Sequence, residues 1–239
     1  MYIQLKEKIR DDLNNNTWKV GNKIPSENSL MEKFNVSRTT VRSALRELVN
    51  EGILYSKQGK GTFVAEPKMQ HSLARITTSF TNDIKSKGRK PGSIQKELTL
   101  KSPPIKIRKF FNLSKNKDAI YLERIRTVNK KKVGVHVVYL NPKIIDWNIF
   151  SQINLENKSL YNVLENEFSL KIIGAKETIE AVSVDTKISQ YLEIQKETPL
   201  LKLTRRSFVQ NEKPLEFVEM VYRGDKYKYY ISSMEENQN

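Results

Sequence analysis

Apolar residues recur at helical spacing through the first fifty positions and then at a spacing of two through much of the remainder. Tyr2, Leu5, Ile9 and Leu13 give a helical stripe ahead of "NNNTWKVGNKIPSE". Pro25-Ser26 opens a short second helix, "ENSLMEKF", with Leu30, Met31 and Phe34 apolar, and "NVS" is a tight turn. In residues 35–52, "NVSRTTVRSALRELVNEG", Val41, Ala44, Leu45, Leu48 and Val49 fall at i, i+3, i+4, i+7 and i+8, the buried face of an amphipathic helix. Ser37 stands where an N-cap belongs, and Glu51-Gly52 is a helix end. Arg38, Arg42 and Arg46, four residues apart, line the other side, with Thr39 and Thr40 at the helix start. Two β-type runs, "ILYS" and "TFVA", follow, joined by "KQGKG", where Gly59 and Gly61 supply the backbone a tight hairpin needs. The layout helix, helix, turn, helix, hairpin is that of a winged helix-turn-helix. Its third helix enters the DNA major groove, and its hairpin tip here carries Lys57, Gln58 and Lys60.

Residues 66–76, "EPKMQHSLARI", have no period and read as a linker. Beyond it, "TTSFTNDIKSKGRKPG" predicts a capped helix, with Thr78 or Ser79 at its N-terminus, Gly88 past its end and a turn at Pro91-Gly92. Strand-like runs are expected at about 93–101, 119–129, 133–140, 172–182, 200–210 and 215–222, with helical segments near 159–167 and 186–192. That mixture indicates an α+β domain. The expected organisation is a DNA-binding domain over 1–65, a linker over 66–76, a second domain over 77–233 and a flexible tail over 234–239.

Composition narrows the chemistry. At 239 residues the chain can bury two modest cores. It has no cysteine, which excludes disulfides, thiolate metal sites and cysteine nucleophiles, and only two histidines, His71 and His136, which leaves no His-rich metal site and no Ser-His-Asp triad. No metal, cofactor or catalytic residue is expected. No apolar run approaches the roughly 18 residues needed to cross a bilayer, so a soluble, cytoplasmic protein is expected. The net charge of +15 favours a polyanionic partner, yet residues 1–65 account for only +4 of it, and most of the rest is solvated lysine.

Two later strands carry residues that a core would not choose. In "AIYLERIRTV", alternation puts Ile120, Leu122, Arg124, Arg126 and Val128 on one face, and in "LEFVEMVY" it puts Glu216 and Tyr222 together. A buried charge is costly unless it is paired or engaged by a ligand. Arg124 and Arg126 therefore either hold a ligand, form an internal pair such as Arg124 with Glu216, or lie on a face open to solvent.

The stretch "KIPSENSLMEKFNVSRTTVRSALRELVNEGILYSKQGKGTFV" closely resembles the DNA-binding domain of the GntR family of bacterial transcription regulators, with P-S-E, V-S-R-T-T-V-R, E-G and G-K-G-T-F-V in register. The resemblance implies operator contacts from Ser37, Arg38, Thr39, Thr40 and Arg42 on the recognition helix, from Lys57, Gln58, Gly59 and Lys60 on the wing, and from Ser26, Glu27 and Asn28 at the start of the second helix. The family commonly has Arg after P-S-E. Asn28 stands there in this chain and suits adenine rather than guanine.

Residues 77–231 resemble the effector-binding UTRA domain of the HutC branch of that family, a chorismate lyase-like α+β fold, through "SFTNDIKSKGRKPGS", "YLERIRTVN", "HVVYLNP", "KSLYNVLENEFSLKI" and "PLEFVEMVYRGDKYKYY". By that resemblance, an effector phosphate is held by the loop at Ser79, Phe80 and Thr81 and by Arg124 and Arg126. Ser159, Tyr161, Glu216 and Tyr222 complete the pocket. Helix N-termini and forked arginine donors both suit phosphate. Where the family usually has Glu, this chain has His136, which either meets the ligand's polar groups or fills the strand. The expected function is that of a homodimeric, effector-controlled repressor binding double-stranded operator DNA, with a sugar phosphate such as an amino-sugar 6-phosphate as effector. The alternatives are a carboxylate or fatty-acid effector, or a second domain that only dimerises. An enzyme is not expected, since no nucleophile–base constellation is visible.

Overall fold

The computed structural model describes residues 2–15, 17–66, 69–72, 79–195 and 198–230, and the chain divides into two compact units, Met1–Met69 and Gln70–Asn239. In the first unit, α1 (Tyr2–Asn14), α2 (Glu27–Phe34) and α3 (Arg38–Asn50) are followed by the hairpin of β1 (Leu54–Lys57) and β2 (Gly61–Val64). Leu5, Ile9, Leu30, Val41, Ala44, Leu48 and Leu54 meet in one buried core, with Leu13, Met31 and Phe34 partly buried against it. Tyr2, expected in the helical stripe, is 42% exposed and lies outside that core. Ser26 and Ser37 cap α2 and α3, their Oγ atoms accepting from the amides of Ser29 and Thr40. Asn35 takes a left-handed conformation (φ 50°) between them and closes the turn.

The second unit is built on one antiparallel sheet. Its strands are β4 (Pro91–Lys101), β5 (Ala119–Val128), β6 (Lys131–Leu140), β7 (Gly174–Val182), β8 (Leu200–Val209) and β9 (Lys213–Arg223), in the order β4-β5-β6-β9-β8-β7. A two-residue turn with Asn129 and Lys130 both at positive φ joins β5 to β6. The helices are α4 (Phe80–Ser86), α5 (Ile105–Phe111), α6 (Trp147–Phe150), α7 (Leu160–Phe168) and α8 (Thr186–Leu192). Ile107 and Phe111 of α5 pack on Tyr121, Tyr139 and Phe217, and Ile188 and Leu192 of α8 pack on Ile125 and Val135. These partners share one face of the sheet by strand alternation, leaving the other face to Arg124, His136, Glu216 and their neighbours.

The described residues correct several expectations. Pro91-Gly92 opens β4 instead of making a turn, with Gly92 facing Thr127 across the strand pair. The stretch read as a linker contains a short strand, β3 (Met69–Ser72), which pairs with β10 (Tyr227–Tyr230). Helices α5 and α6 were not among the expected elements. Ser79 is the N-cap of α4, while the other candidate, Thr78, and the tail over 234–239 lie outside the described residues.

Candidate functional site

The first candidate surface is the start of α3 together with α2 and the hairpin tip. Ser37 Oγ lies 2.8 Å from Thr39 Oγ1 and 2.9 Å from Thr40 Oγ1, so the three hydroxyls form one exposed cluster at the helix N-terminus. Arg38 Nη2 donates to Asn28 Oδ1 at 2.9 Å, and Arg42 Nε donates to Glu27 Oε1 at 3.3 Å. The first turn of α2 thus contacts Arg38 and Arg42 of α3. Reading adenine requires both atoms of the Asn amide. In the unbound protein the amide oxygen of Asn28 accepts from Arg38. Gln58, Gly59 and Lys60 form the tip of the hairpin, with Gly59 at φ +70°, and Lys57 Nζ rests over the rings of Tyr55 and Phe63.

The second is a small cavity between the free face of the sheet, α4 and α7. Strand pairing assembles it: Arg124 lies opposite His136, His136 opposite Met220, and Met220 opposite Leu203. One step along the strands, Val138 faces Val218 and Val218 faces Arg205. Ser79, Phe80 and Thr81 enter from α4, and Leu160 and Tyr161 from α7.

Arg124 and Arg126 are each 3% exposed. Arg126 Nη2 donates to Thr81 Oγ1 at 3.2 Å, and its guanidinium carbon lies 4.3 Å from the centroid of the Phe80 ring. Arg124 Nη1 donates to the carbonyl of Lys158 at 3.4 Å. The Nε atoms of both, and Nη1 of Arg126, are buried with no hydrogen-bond partner. Among the described residues neither forms an ion pair; in particular, the pair of Arg124 with Glu216 left open by the sequence does not form. Burial pushes Arg124 down to about 10, with Glu216 opposing. Burial, then the charge of Arg124, holds Arg126 well below the usual arginine range. Two cations are thus kept dry and side by side with donors unused, an arrangement that an incoming anion relieves.

The opposite end of the cavity is an acceptor. Glu216 Oε2 accepts from Tyr161 OH at 2.9 Å and from Ser207 Oγ at 2.9 Å. Burial raises the Glu216 carboxyl above the usual carboxylate range, against the opposing pull of Arg205 and those two hydroxyls. Arg205 Nη1 donates to Tyr161 OH at 3.1 Å, and its Nε to Glu177. Despite burial, Tyr161 and Glu177 hold Arg205 above its usual range. Glu177, Arg205, Tyr161, Glu216 and Ser207 therefore form one continuous chain of hydrogen bonds.

His136 Nε2 and Tyr222 OH share a hydrogen bond of 2.7 Å. The Tyr222 ring stacks on Phe80 and, at 4.0 Å between centroids, on Tyr227. Burial pushes the Tyr222 hydroxyl up, so it is neutral across the physiological range. Gly134 lies opposite Tyr222 and makes this possible, since a Cβ there would stand 2.6 Å from the ring.

Of the residues expected at the effector, Ser79, Phe80, Thr81, Arg124, Arg126, His136, Tyr161, Glu216 and Tyr222 line this cavity. Ser159 stands behind it, capping α7 and donating Oγ to Ser79 Oγ at 3.0 Å, so it ties together the starts of α4 and α7. Sequence reasoning missed Arg205, Tyr229 and the apolar lining of Val138, Leu160, Leu203, Val218 and Met220. A signal for Arg205 existed in "LLKLTRRSFV", where alternation sets it in line with Leu201, Leu203 and Ser207. The adjacent Arg206 obscured which of the two points inward.

Comparison with known proteins places both regions. Residues 1–64 match the model of bacterial regulatory proteins of the gntR family, and residues 86–228 match the UTRA domain. The HTH-type transcriptional repressor NagR of Bacillus subtilis is 32% identical over 231 residues, covering 96% of this chain and 93% of that protein. The probable fructoselysine utilization operon transcriptional repressor of Escherichia coli K12 is 27% identical, covering 95% of this chain and 91% of that protein. The histidine utilization repressor of Pseudomonas putida is 23% identical, covering 95% and 90%. The crystal structure of PhnF from Mycobacterium smegmatis superposes with a TM-score of 0.70 at 24% identity, covering 97% of this chain and all of that one, and so shares the fold.

Proposed function

The chain belongs to the gntR family of bacterial regulatory proteins, in the HutC branch that carries a UTRA domain, and from that premise we propose that it is a homodimeric transcriptional repressor whose operator affinity is set by a phosphorylated sugar. The observation that carries the effector class is the pair of buried arginines, Arg124 and Arg126, with unpartnered N–H groups at one end of the cavity and the Glu216 carboxyl at the other. A phosphate takes up forked arginine donors, and Thr81 stands beside it. Glu216, with Tyr161, accepts from sugar hydroxyls. The names of several relatives tie them to the use of sugar-derived compounds, in keeping with an amino-sugar 6-phosphate or similar ester.

DNA is read by Ser37, Arg38, Thr39, Thr40 and Arg42 of α3 in the major groove, supported by Ser26, Glu27 and Asn28. Lys57, Gln58, Gly59 and Lys60 of the wing lie along the backbone or in the minor groove. A symmetric dimer reads a pseudo-palindromic operator. The effector changes DNA affinity only to the extent that it binds the DNA-bound and free states unequally. The relatives are named as transcriptional repressors, and no catalytic step is assigned to the cavity. No helix among the described residues is long and apolar enough to cross a membrane.

A thermal melt of the purified chain against sugar phosphates, their unphosphorylated parents, inorganic phosphate, dicarboxylates and fatty acids tests the effector class. A ligand at about 100 times its dissociation constant adds roughly 2.7 kcal/mol, a shift of several degrees. One phosphorylated sugar is expected to give that shift and to change operator affinity, and its parent sugar to do neither. A response confined to dicarboxylates or fatty acids would replace the phosphate reading.

A further inference from the structure

Residues 21–24, ahead of α2, run antiparallel beside β2 as a third strand of the wing. Ile24 N donates to the carbonyl of Thr62 at 3.0 Å, and Val64 N to that of Asn22 at 2.9 Å. Lys23 is thereby bridged to Phe63 as a pair with no hydrogen bonds of its own, the kind whose side chains stand closest. Phe63 lies opposite Tyr55, and at the tip Lys57 lies opposite Gly61. By strand alternation Lys23, Phe63, Tyr55, Lys57 and Gly61 share one face of the wing, while Leu54 and Val64 turn the other into the core.

Gly61 shows where the Lys23 side chain goes. A Cβ on Gly61 would stand 2.6 Å from Lys23 Cε and 3.2 Å from its Nζ. Gly61 begins β2, two residues nearer the tip than Phe63, so the stem of Lys23 runs along the strand toward the tip. There its ammonium joins Lys57, whose own ammonium lies over the Tyr55 and Phe63 rings. Lys60 completes the turn, its amide donating to the carbonyl of Lys57 at 3.0 Å. Lys23 is exposed, and among the described residues none of these three lysines takes part in an ion pair. Like charges gathered at one tip repel each other, and a polyanion laid against them reverses the sign of that energy.

We propose that Lys23 is a DNA phosphate-binding residue, delivered to the wing tip from the strand ahead of α2. The inference rests on the reading of this unit as a DNA-binding domain and adds a contact from outside the recognition helix and the hairpin. A lysine ammonium is a point charge that neutralises a phosphate without reading a base. Lys23 therefore adds affinity and salt dependence to the wing's hold on the duplex and leaves the choice of sequence to α3. Gly61 serves this contact as well as its own φ of +111°, because a side chain there would displace the lysine.

A contact that ignores sequence is tested on a duplex of arbitrary sequence, about 40 base pairs long, with the full chain. Fluorescence anisotropy over a salt series gives the slope of log affinity against log salt, which steepens by about 0.9 for each phosphate neutralised. Lys23→Gln is expected to flatten that slope by about 0.9, so that between about 50 and 200 mM salt it loses about 3.5-fold less affinity than the wild type. Lys23→Arg keeps the charge and should keep the wild-type slope, as should Lys115→Gln, which removes an exposed lysine of the second unit. A slope unchanged in Lys23→Gln, or flattened as much by Lys23→Arg or Lys115→Gln, would overturn the Lys23 contact and leave DNA binding intact. A wild-type chain whose affinity for the duplex is indifferent to salt would overturn the DNA-binding reading itself.

Discussion

Arg126 and Thr81, forty-five positions apart in sequence, are joined by a 3.2 Å hydrogen bond from Nη2 to Oγ1. That bond aims the guanidinium across the mouth of α4 while leaving its Nε and Nη1 buried and unpartnered. The arginine is fixed in place before any ligand arrives, so little side-chain entropy remains to be lost on binding.

Replacing it should separate binding from stability. Arg126→Met is expected to abolish the melting shift given by the phosphorylated effector. It should not lower the melting temperature of the free protein, because a buried charge without an ion-pair partner carries a desolvation cost that an apolar side chain of similar volume does not. A calorimetric melt with and without effector checks both halves. Loss of stability in the free protein would mean that Arg126 is paired in a way that benefits the fold.

Glu216 provides a pH signature. Its carboxyl is raised in the folded state, so the proton is held longer there than in the unfolded chain. The stability this contributes is fully present below the unfolded-state value and is lost as pH rises through the folded-state value. Glu216→Gln keeps an acceptor for Tyr161 and Ser207 and cannot ionise. The variant's advantage in stability over the wild type should therefore be smallest at low pH and widen toward neutrality, which denaturant titrations at several pH values would show. A difference independent of pH would contradict the assignment.

Gly134 is a packing requirement of the cavity floor. A Cβ there would stand 2.6 Å from the Tyr222 ring and 2.6 Å from the carbonyl of Val221. Gly134→Ala should lower stability by about 1–3 kcal/mol, the usual range for overpacking, and weaken effector binding by displacing Tyr222 from His136. A melt and an effector titration report the two effects separately.

On the DNA-reading side, Arg38→Ala is expected to reduce operator affinity by about 10- to 100-fold, as loss of a base-edge contact does. Asn28→Ala, which only releases Arg38 from its 2.9 Å bond, should cost less and leave effector binding unchanged. Equal losses in the two variants, read by fluorescence anisotropy on operator DNA, would show Asn28 contacting DNA itself.

Much of this was legible from local chemistry. The caps at Ser37 and Ser79 follow from short-range hydrogen bonding. The apolar stripe of α3 and the hairpin glycines follow from periodicity and backbone freedom, and strand alternation placed Arg124 and Arg126 on one face. The family motifs supplied the rest of the expected cavity. What stayed out of reach was set at long range. The one-turn α6 and the short β3 have too few residues for a period to emerge.

The sequence by itself determined the two units, the order of most of their elements and which residue types carry charge onto apolar strands, because these depend on neighbours within a turn or a pleat. Only the tertiary structure decided that Glu216 meets Tyr161 and Ser207 rather than Arg124, and that Arg205 rather than Arg206 turns into the cavity. It also decided that Asn28 is bonded to Arg38. Those outcomes follow from strand order, register and helix packing, and they join residues whose separation along the chain carries no local signal.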